Sequence, residues 1–243
     1  MAQTLARVAA LIGEASRAAM LMCLVGGERL PAHALARAAR ITPQTASSHL
    51  TKLTAGGLVV CESYGRHRYY RLANAEVGVA LEALSTIAVP APIRSLRESD
   101  QARALRFART CYDHLAGELG VALTDRLLAR RFIQEDGRDF VVTSTGTPWF
   151  RDFGIDLDHL RRERRHFARQ CLDWSERRHH VAGALGAALA QRLLDSQWVE
   201  RVRDGRSVRI TDAGREGLEG TLGLMLLYPS SRRPAESIAP GPL

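Results

Sequence analysis

The chain has 243 residues, enough for one large domain or two small ones with real cores. Apolar residues make up 46%, which excludes global disorder, and no apolar run is long enough to span a bilayer. The net charge is +8, almost all arginine since Lys52 is the only lysine, and it points to a polyanion partner: nucleic acid first, an anionic membrane surface second.

Residues 4–12 and 14–25 are apolar at helical spacing, with Gly13 between them and Gly26-Gly27 as a stop. The apolar run at 18–25 follows Glu14 and Arg17 inside that pattern, so no secretory signal is expected. Cys23, Cys61, Cys111 and Cys171 are therefore expected as reduced thiols of a cytoplasmic protein. A short helix is predicted over 31–40. Thr42-Pro43 then supplies an N-cap and a first-turn proline for a helix running to about residue 55, ended by Gly56-Gly57. Strands are predicted over 58–62 and 68–71, with the tip of a hairpin at 63–67, and a last helix over 74–87.

This order, helix–turn–helix then a basic-tipped hairpin then a helix, is the outline of a winged helix-turn-helix. On the helix from Pro43, Ala46, Leu50 and Leu53 share one face, which must be buried. Gln44, Ser48 and Thr51 lie opposite, flanked by Thr45, Ser47 and Lys52, with Thr42 at the cap. Short polar groups suit a major groove: Gln can pair with adenine, Ser and Thr can bond to bases or phosphates, and Lys52 can meet a phosphate. A solvated helix face usually carries Glu–Lys pairs, and none is present. Arg66, His67, Arg68 and Arg71 crowd the hairpin, as a wing touching phosphates or the minor groove requires. Of Tyr69 and Tyr70, one should pack inward.

The stretch ITPQTASSHLTKLTAGGLVVCESYGRHRYYRL resembles the recognition helix and wing of the ArsR/SmtB (arsenical-repressor-like) family, a likeness covering about residues 1–90. The resemblance implies a homodimer joined through the first and last helices, bound to an inverted-repeat operator and weakened by an effector. The stripe Val77, Ala80, Leu81, Leu84 and Ile87 fits such a dimer, or packing within its own domain. The family's familiar metal sites are missing. The third helix reads RLPAHALA, with His33 and no cysteine pair, and the last reads NAEVGVALEALSTIAV, with no histidine. Cys23 suits a core position, and Cys61 lacks a second thiol nearby.

Residues 89–100, with Pro90, Pro92 and a charged run, read as a linker or helix start. A second block then carries an internal repeat. Aligning 114–133 with 180–199 makes ten of twenty positions identical, beginning HLAGELG and HVAGALG. Both copies have leucines at helical spacing (Leu119, Leu123, Leu127; Leu185, Leu189, Leu193), then a hairpin with an Asp-Gly-Arg turn, then Thr-x-x-Gly. Each is a helix feeding a hairpin, the back half of a winged helix, and the copies are expected to pack on each other rather than read DNA.

Cys111-Tyr112-Asp113-His114 opens the first copy. Cys171-Leu172-Asp173-Trp174 opens the second, with His180 later. Cys111 and His114 are read as sharing a helix face. Under pseudo-twofold pairing, Cys111, Asp113, His114, Cys171, Asp173 and His180 could converge as a metal or effector site. These are zinc-type ligands, and the thiols could instead meet an oxidant. Capping and packing roles explain the same residues, and an apolar ligand near Tyr112, Trp174 and Trp198 is open. The basic run at 161–165 reads as a solvated face.

The expected fold is mainly α with short β-hairpins (α+β). It comprises a winged helix-turn-helix DNA-binding and dimerisation domain over 1–90, a duplicated helix–hairpin domain over 91–228 (repeats about 111–146 and 171–214) with a sensing role, and a disordered tail over 229–243. The expected function is that of a sequence-specific, cytoplasmic transcriptional regulator. It would be a homodimeric repressor of double-stranded operator DNA, released by an unidentified effector: a zinc-like divalent ion at the repeat interface, a thiol oxidant or a small molecule. A non-specific architectural DNA-binding protein is the alternative. A metal-dependent enzyme in the second block ranks below it, since nucleophile elbow, phosphate loop and His-Glu-x-x-His are all absent. No enzymatic activity and no membrane partner are expected.

Overall fold

A computed structural model describes residues 2–89, 95–202 and 205–226. Pro90, Pro92 and Arg94 of the expected linker, Asp204 of the second Asp-Gly-Arg turn, and the expected disordered tail lie outside the described residues.

The N-terminal part is a winged helix-turn-helix. Helices α1 (Ala2–Ile12) and α2 (Ala15–Leu24) are followed by the two-residue strand β1 (Leu30–Pro31), α3 (Ala32–Ala38) and α4 (Pro43–Ala55). The wing is β2 (Val59–Tyr64) and β3 (His67–Leu72), and α5 (Ala75–Ile87) closes the unit. The caps come from the sequence. Glu14 accepts from the N–H groups of Ser16 and Arg17, Thr42 from Thr45, and Asn74 from Val77. The antiparallel sheet runs β1-β3-β2. Its hairpin tip is only Gly65-Arg66, tighter than the five residues expected, because Gly65 takes a left-handed conformation (φ +60°) and lets Tyr64 pair with His67. Ala46, Leu50 and Leu53 of α4 sink into a core with Met20, Leu21 and Leu24.

The C-terminal part begins with α6 (Leu96–Phe107), capped by Ser95, so the charged run opens a helix. The first repeat is β4 (Arg109–Cys111), β5 (His114–Ala116), α7 (Gly117–Ala129), β6 (Ile133–Asp136), β7 (Asp139–Val142) and α8 (Gly146–Asp152). After α9 (Leu157–Arg162) the second repeat follows: β8 (Arg169–Leu172), β9 (His179–Ala182), α10 (Gly183–Asp195), β10 (Val199–Arg201), β11 (Val208–Ile210) and α11 (Asp212–Leu222).

The repeats exchange strands reciprocally. Phe140 N–H donates to the Ala168 carbonyl at 2.8 Å and Gln170 N–H to that of Arg138 at 3.1 Å, joining β7 to β8. In the mirror relation Val208 donates to Ala108 at 2.9 Å and Thr110 to Arg206 at 2.8 Å, joining β11 to β4. Helix α7 packs on β9 and α10 on β5, so one core holds the leucines of both repeats. The copies form a pseudo-dimer within one chain.

The repeated phrase now has physical reasons. Gly117 and Gly183 take φ of +79° and +77°, where each strand turns into its helix. A Cβ on Gly186 would lie 2.4 Å from the Val181 carbonyl and 3.1 Å from His114 Cβ. Glycine there lets a helix of one repeat ride over the histidine of the other.

One local expectation fails. Cys111 and His114 do not share a helix face; they are cross-strand partners in the β4–β5 hairpin. Tyr112, at φ +58°, and Asp113 form its two-residue turn. Three-residue strands are too short for alternation to reveal, and the spacing of three imitated a helix turn.

Candidate functional site

Two surfaces carry the residues singled out in the sequence. The first is α4 with the wing. Thr42, Gln44, Thr45, Ser47, Ser48, Thr51 and Lys52 are all exposed, and so are Arg66, His67 and Arg68 at the wing tip. His49 is half-buried, with Nδ1 3.3 Å from the Arg17 guanidinium, which ties α4 to α2. Tyr70 packs inward and Tyr69 stacks edge-on with Tyr64. Arg71 is engaged within the sheet: it donates to Glu62 at 2.6 Å, as Arg29 does at 2.7 Å. These two guanidinium groups hold the Glu62 carboxyl down at about 2.

The second is the axis of the pseudo-dimer. Of the six residues grouped in the sequence, four donor atoms meet: Cys111, His114, Cys171 and His180, all within 4.8 Å of one another. The histidine Nε2 atoms are 3.1 Å apart and the sulfurs 4.0 Å. Cys111 pairs with His114 across one hairpin and Cys171 with His180 across the other. Asp113 and Asp173 stand behind the histidines rather than among the donors. Asp113 lies 3.4 Å from His114 Nδ1 and accepts from Arg165 at 2.6 Å. Asp173 lies 3.5 Å from His180 Nδ1.

Asp173 also does the capping that the sequence allowed. It accepts from the N–H of Gly117 at the start of α7, and from Ser175 and Glu176. Arg109, fully buried, donates to it at 2.9 Å. Burial opposes a charge on Asp173, but Arg109, Ser175 and the Gly117 and Glu176 amides hold its pKa well below the usual range. Burial likewise opposes a charge on His114, yet Asp113 and the Cys171 sulfur outweigh it and keep the pKa at about 9. The hydrogen bond between the sulfurs splits them: Cys171 is drawn down as the thiolate and Cys111 is pushed up.

Residues around the cluster touch the N-terminal part. Tyr112, between Cys111 and His114, donates its N–H to the Val25 carbonyl at 2.5 Å, at the end of α2. Arg206 pairs with Glu82 of α5 in a buried contact, with Arg109 3.9 Å away. Arg177 donates to the Thr86 carbonyl at 2.6 Å. Sequence reasoning missed Arg109, Glu82 and Arg206, since nothing in a charged residue's neighbours announces burial. A groove of about 780 Å³ between α5 and the β4–β5 hairpin reaches Cys111 and His114. Tyr112, Trp174 and Trp198 do not share one of the described cavities: Tyr112 packs on the head, Trp174 stacks under Arg109, and Trp198 lies near Phe153.

No family model matches the chain. Over 226 residues it is 44% identical to the HTH-type transcriptional regulator YdfF of Bacillus subtilis (strain 168), covering 93% of this chain and 100% of that protein. Three solved structures are similar to part of it. The homodimeric winged helix-turn-helix domain (fragment 1–100) of Mb0332 from Mycobacterium bovis, a possible ArsR-family regulator, is 28% identical over 35% of this chain and 78% of its own, with a TM-score of 0.33. NolR from Sinorhizobium fredii is 30% identical over 37% and 89%, with a TM-score of 0.34. The cadmium metal-sensor CMTR from Mycobacterium tuberculosis is 29% identical over 38% and 99%, with a TM-score of 0.30. Among the described residues no helix is long and apolar enough to cross a membrane.

Proposed function

This chain belongs to the family of HTH-type transcriptional regulators, and from that footing we propose that it is a homodimeric, operator-specific repressor acting in the cytoplasm. The observation that carries the reading is the division of α4. Its apolar face is buried, and its outer face presents Gln44, Ser47, Ser48, Thr51 and Lys52 beside the exposed Arg66, His67 and Arg68. A helix in the major groove and a basic tip on the neighbouring phosphates use those groups together.

Dimer formation is supported by apolar side chains left uncovered in a single chain: Leu5 on α1, and Val79, Leu84 and Ile87 on α5. Leu81, from the same expected stripe, packs inside its own head. A twofold dimer covers such faces and presents two α4 helices to half-sites one helical turn apart. The duplicated domain supplies the effector logic, through its contacts with α2 and α5.

Footprinting on the DNA flanking its own gene tests the proposal. A protected inverted repeat is expected. Uniform protection without sequence preference would instead favour an architectural DNA-binding protein.

A further inference from the structure

The cluster on the pseudo-twofold axis has a donor set that neither capping nor packing requires. His114 and His180 turn Nε2 toward each other at 3.1 Å, and Cys111 and Cys171 bring their sulfurs to 4.0 Å. Both outer nitrogens face carboxylates, Asp113 at 3.4 Å and Asp173 at 3.5 Å, and His180 Nδ1 makes no hydrogen bond within normal reach. An imidazole protonated on that outer nitrogen presents a lone pair inward. With both rings in that tautomer, the two inward lone pairs, 3.1 Å apart, can be bridged by a cation. Shared protons can join the nitrogens and the sulfurs only pair by pair. A metal ion serves all four.

The dimensions agree. Tetrahedral zinc, with Zn–N of about 2.0–2.1 Å and Zn–S of about 2.3 Å, sets its nitrogens about 3.3 Å apart and its sulfurs about 3.8 Å apart. We infer that Cys111, His114, Cys171 and His180 form a four-coordinate site for one divalent ion of the zinc class, and that its occupancy sets the DNA affinity of the head. Each repeat supplies one cysteine and one histidine, and the two carboxylates orient the rings from behind. Nothing in this donor set overlaps the third- or fifth-helix sites that the first-block resemblance would supply.

The route to the head is short. Tyr112 sits between two of the ligands and holds the Val25 carbonyl at 2.5 Å. The hairpin that carries Cys111 and His114 is thereby tied at its turn to the end of α2, so occupancy of the site and the position of α2 are coupled through one backbone contact. The effect on DNA rests on the regulator reading above; the metal site does not.

The test uses the full chain, purified reduced, stripped with a chelator and titrated with CoCl₂, then with ZnCl₂ as competitor. One cobalt per chain is expected, with the ligand-field and thiolate charge-transfer bands of a tetrahedral sulfur–nitrogen site. Cys111→Ser and His180→Gln should each abolish those bands while circular dichroism confirms their fold. If both variants misfold, the chelated wild type, folded and cobalt-binding, carries the test. Absence of the bands in the wild type, their persistence in both folded variants, or a Cys111–Cys171 disulfide whose reduction restores no metal uptake overturns the site. On the flanking DNA, zinc should change affinity about fivefold or more. Equal affinity at full loading overturns the regulatory half. No DNA binding in either form overturns the regulator reading and leaves the metal site standing.

Discussion

His114 and His180 are separated by 66 residues in the chain, and their Nε2 atoms lie 3.1 Å apart. They are the same position of two repeats, and the near-symmetry of the domain brings them to its axis. The helix of each repeat runs beside the histidine of the other, and the glycines of the repeated phrase make room for that approach. A duplication has thereby built inside one chain what a homodimer builds from two: a site at the symmetry axis, each half supplying the same residue types.

Asp113 orients one of those rings and can be removed gently. Its ion pair with Arg165 is partly exposed and contributes little to stability. Asp113→Asn should weaken zinc affinity about tenfold or more, with an unchanged urea midpoint. Competition against a chromophoric chelator measures it, and an unaltered affinity would count against the orienting role.

Glu82 lies buried between Arg206 and Arg109, where α5 meets the duplicated domain. Glu82→Gln leaves the buried Arg206 guanidinium without its carboxylate, while Arg109 keeps Asp173. The expected loss is about 3–5 kcal/mol in denaturant unfolding. A change below about 1 kcal/mol would mean that this contact does not hold the two parts together.

Arg66 is at the wing tip, exposed, with its Nε 3.4 Å from His67 Nε2. If it meets a phosphate, Arg66→Ala lowers the slope of log affinity against log salt by about 1 and weakens all sequences alike. A loss confined to one operator sequence would assign it to base reading instead.

The acid limb of stability should depend on the head's glutamates. The N–H groups of Ser16 and Arg17 hold Glu14 at about 2, and the guanidinium groups of Arg29 and Arg71 do the same for Glu62, against an ordinary 4.5. A carboxyl with a lowered folded-state pKa stabilises above its unfolded value and loses that contribution as pH falls through the folded one. Stability should therefore decline between about pH 4.5 and 2, and Glu14→Gln should flatten the decline. An identical pH profile in the variant would contradict the capping assignment.

The head was largely legible because its signals are local. Thr42-Pro43 and Gly56-Gly57 mark α4, and Ala46, Leu50 and Leu53 mark its buried face. The repeat was legible from HLAGELG and HVAGALG, and with it the meeting of Cys111, His114, Cys171 and His180. The hairpins carrying those residues were not legible, since β4 and β5 are three residues each and Tyr112 adopts positive φ without being glycine. The positions of Asp113 and Asp173 behind the rings were hidden for the same reason. They share a Cys-x-Asp phrase, but one stands in a two-residue turn and the other caps a longer loop. The exchange of strands between repeats also left no local trace, because backbone pairing is set by the pseudo-symmetry rather than by any side chain.

Operator reading by α4 shows in the ratio of affinities for the footprinted site and a scrambled duplex at fixed salt. The wild type should prefer the site by about a thousandfold or more. Gln44→Ala with Ser48→Ala should remove about tenfold or more of that preference while leaving scrambled-duplex binding intact. An undiminished preference in the double variant would contradict the reading helix assigned here.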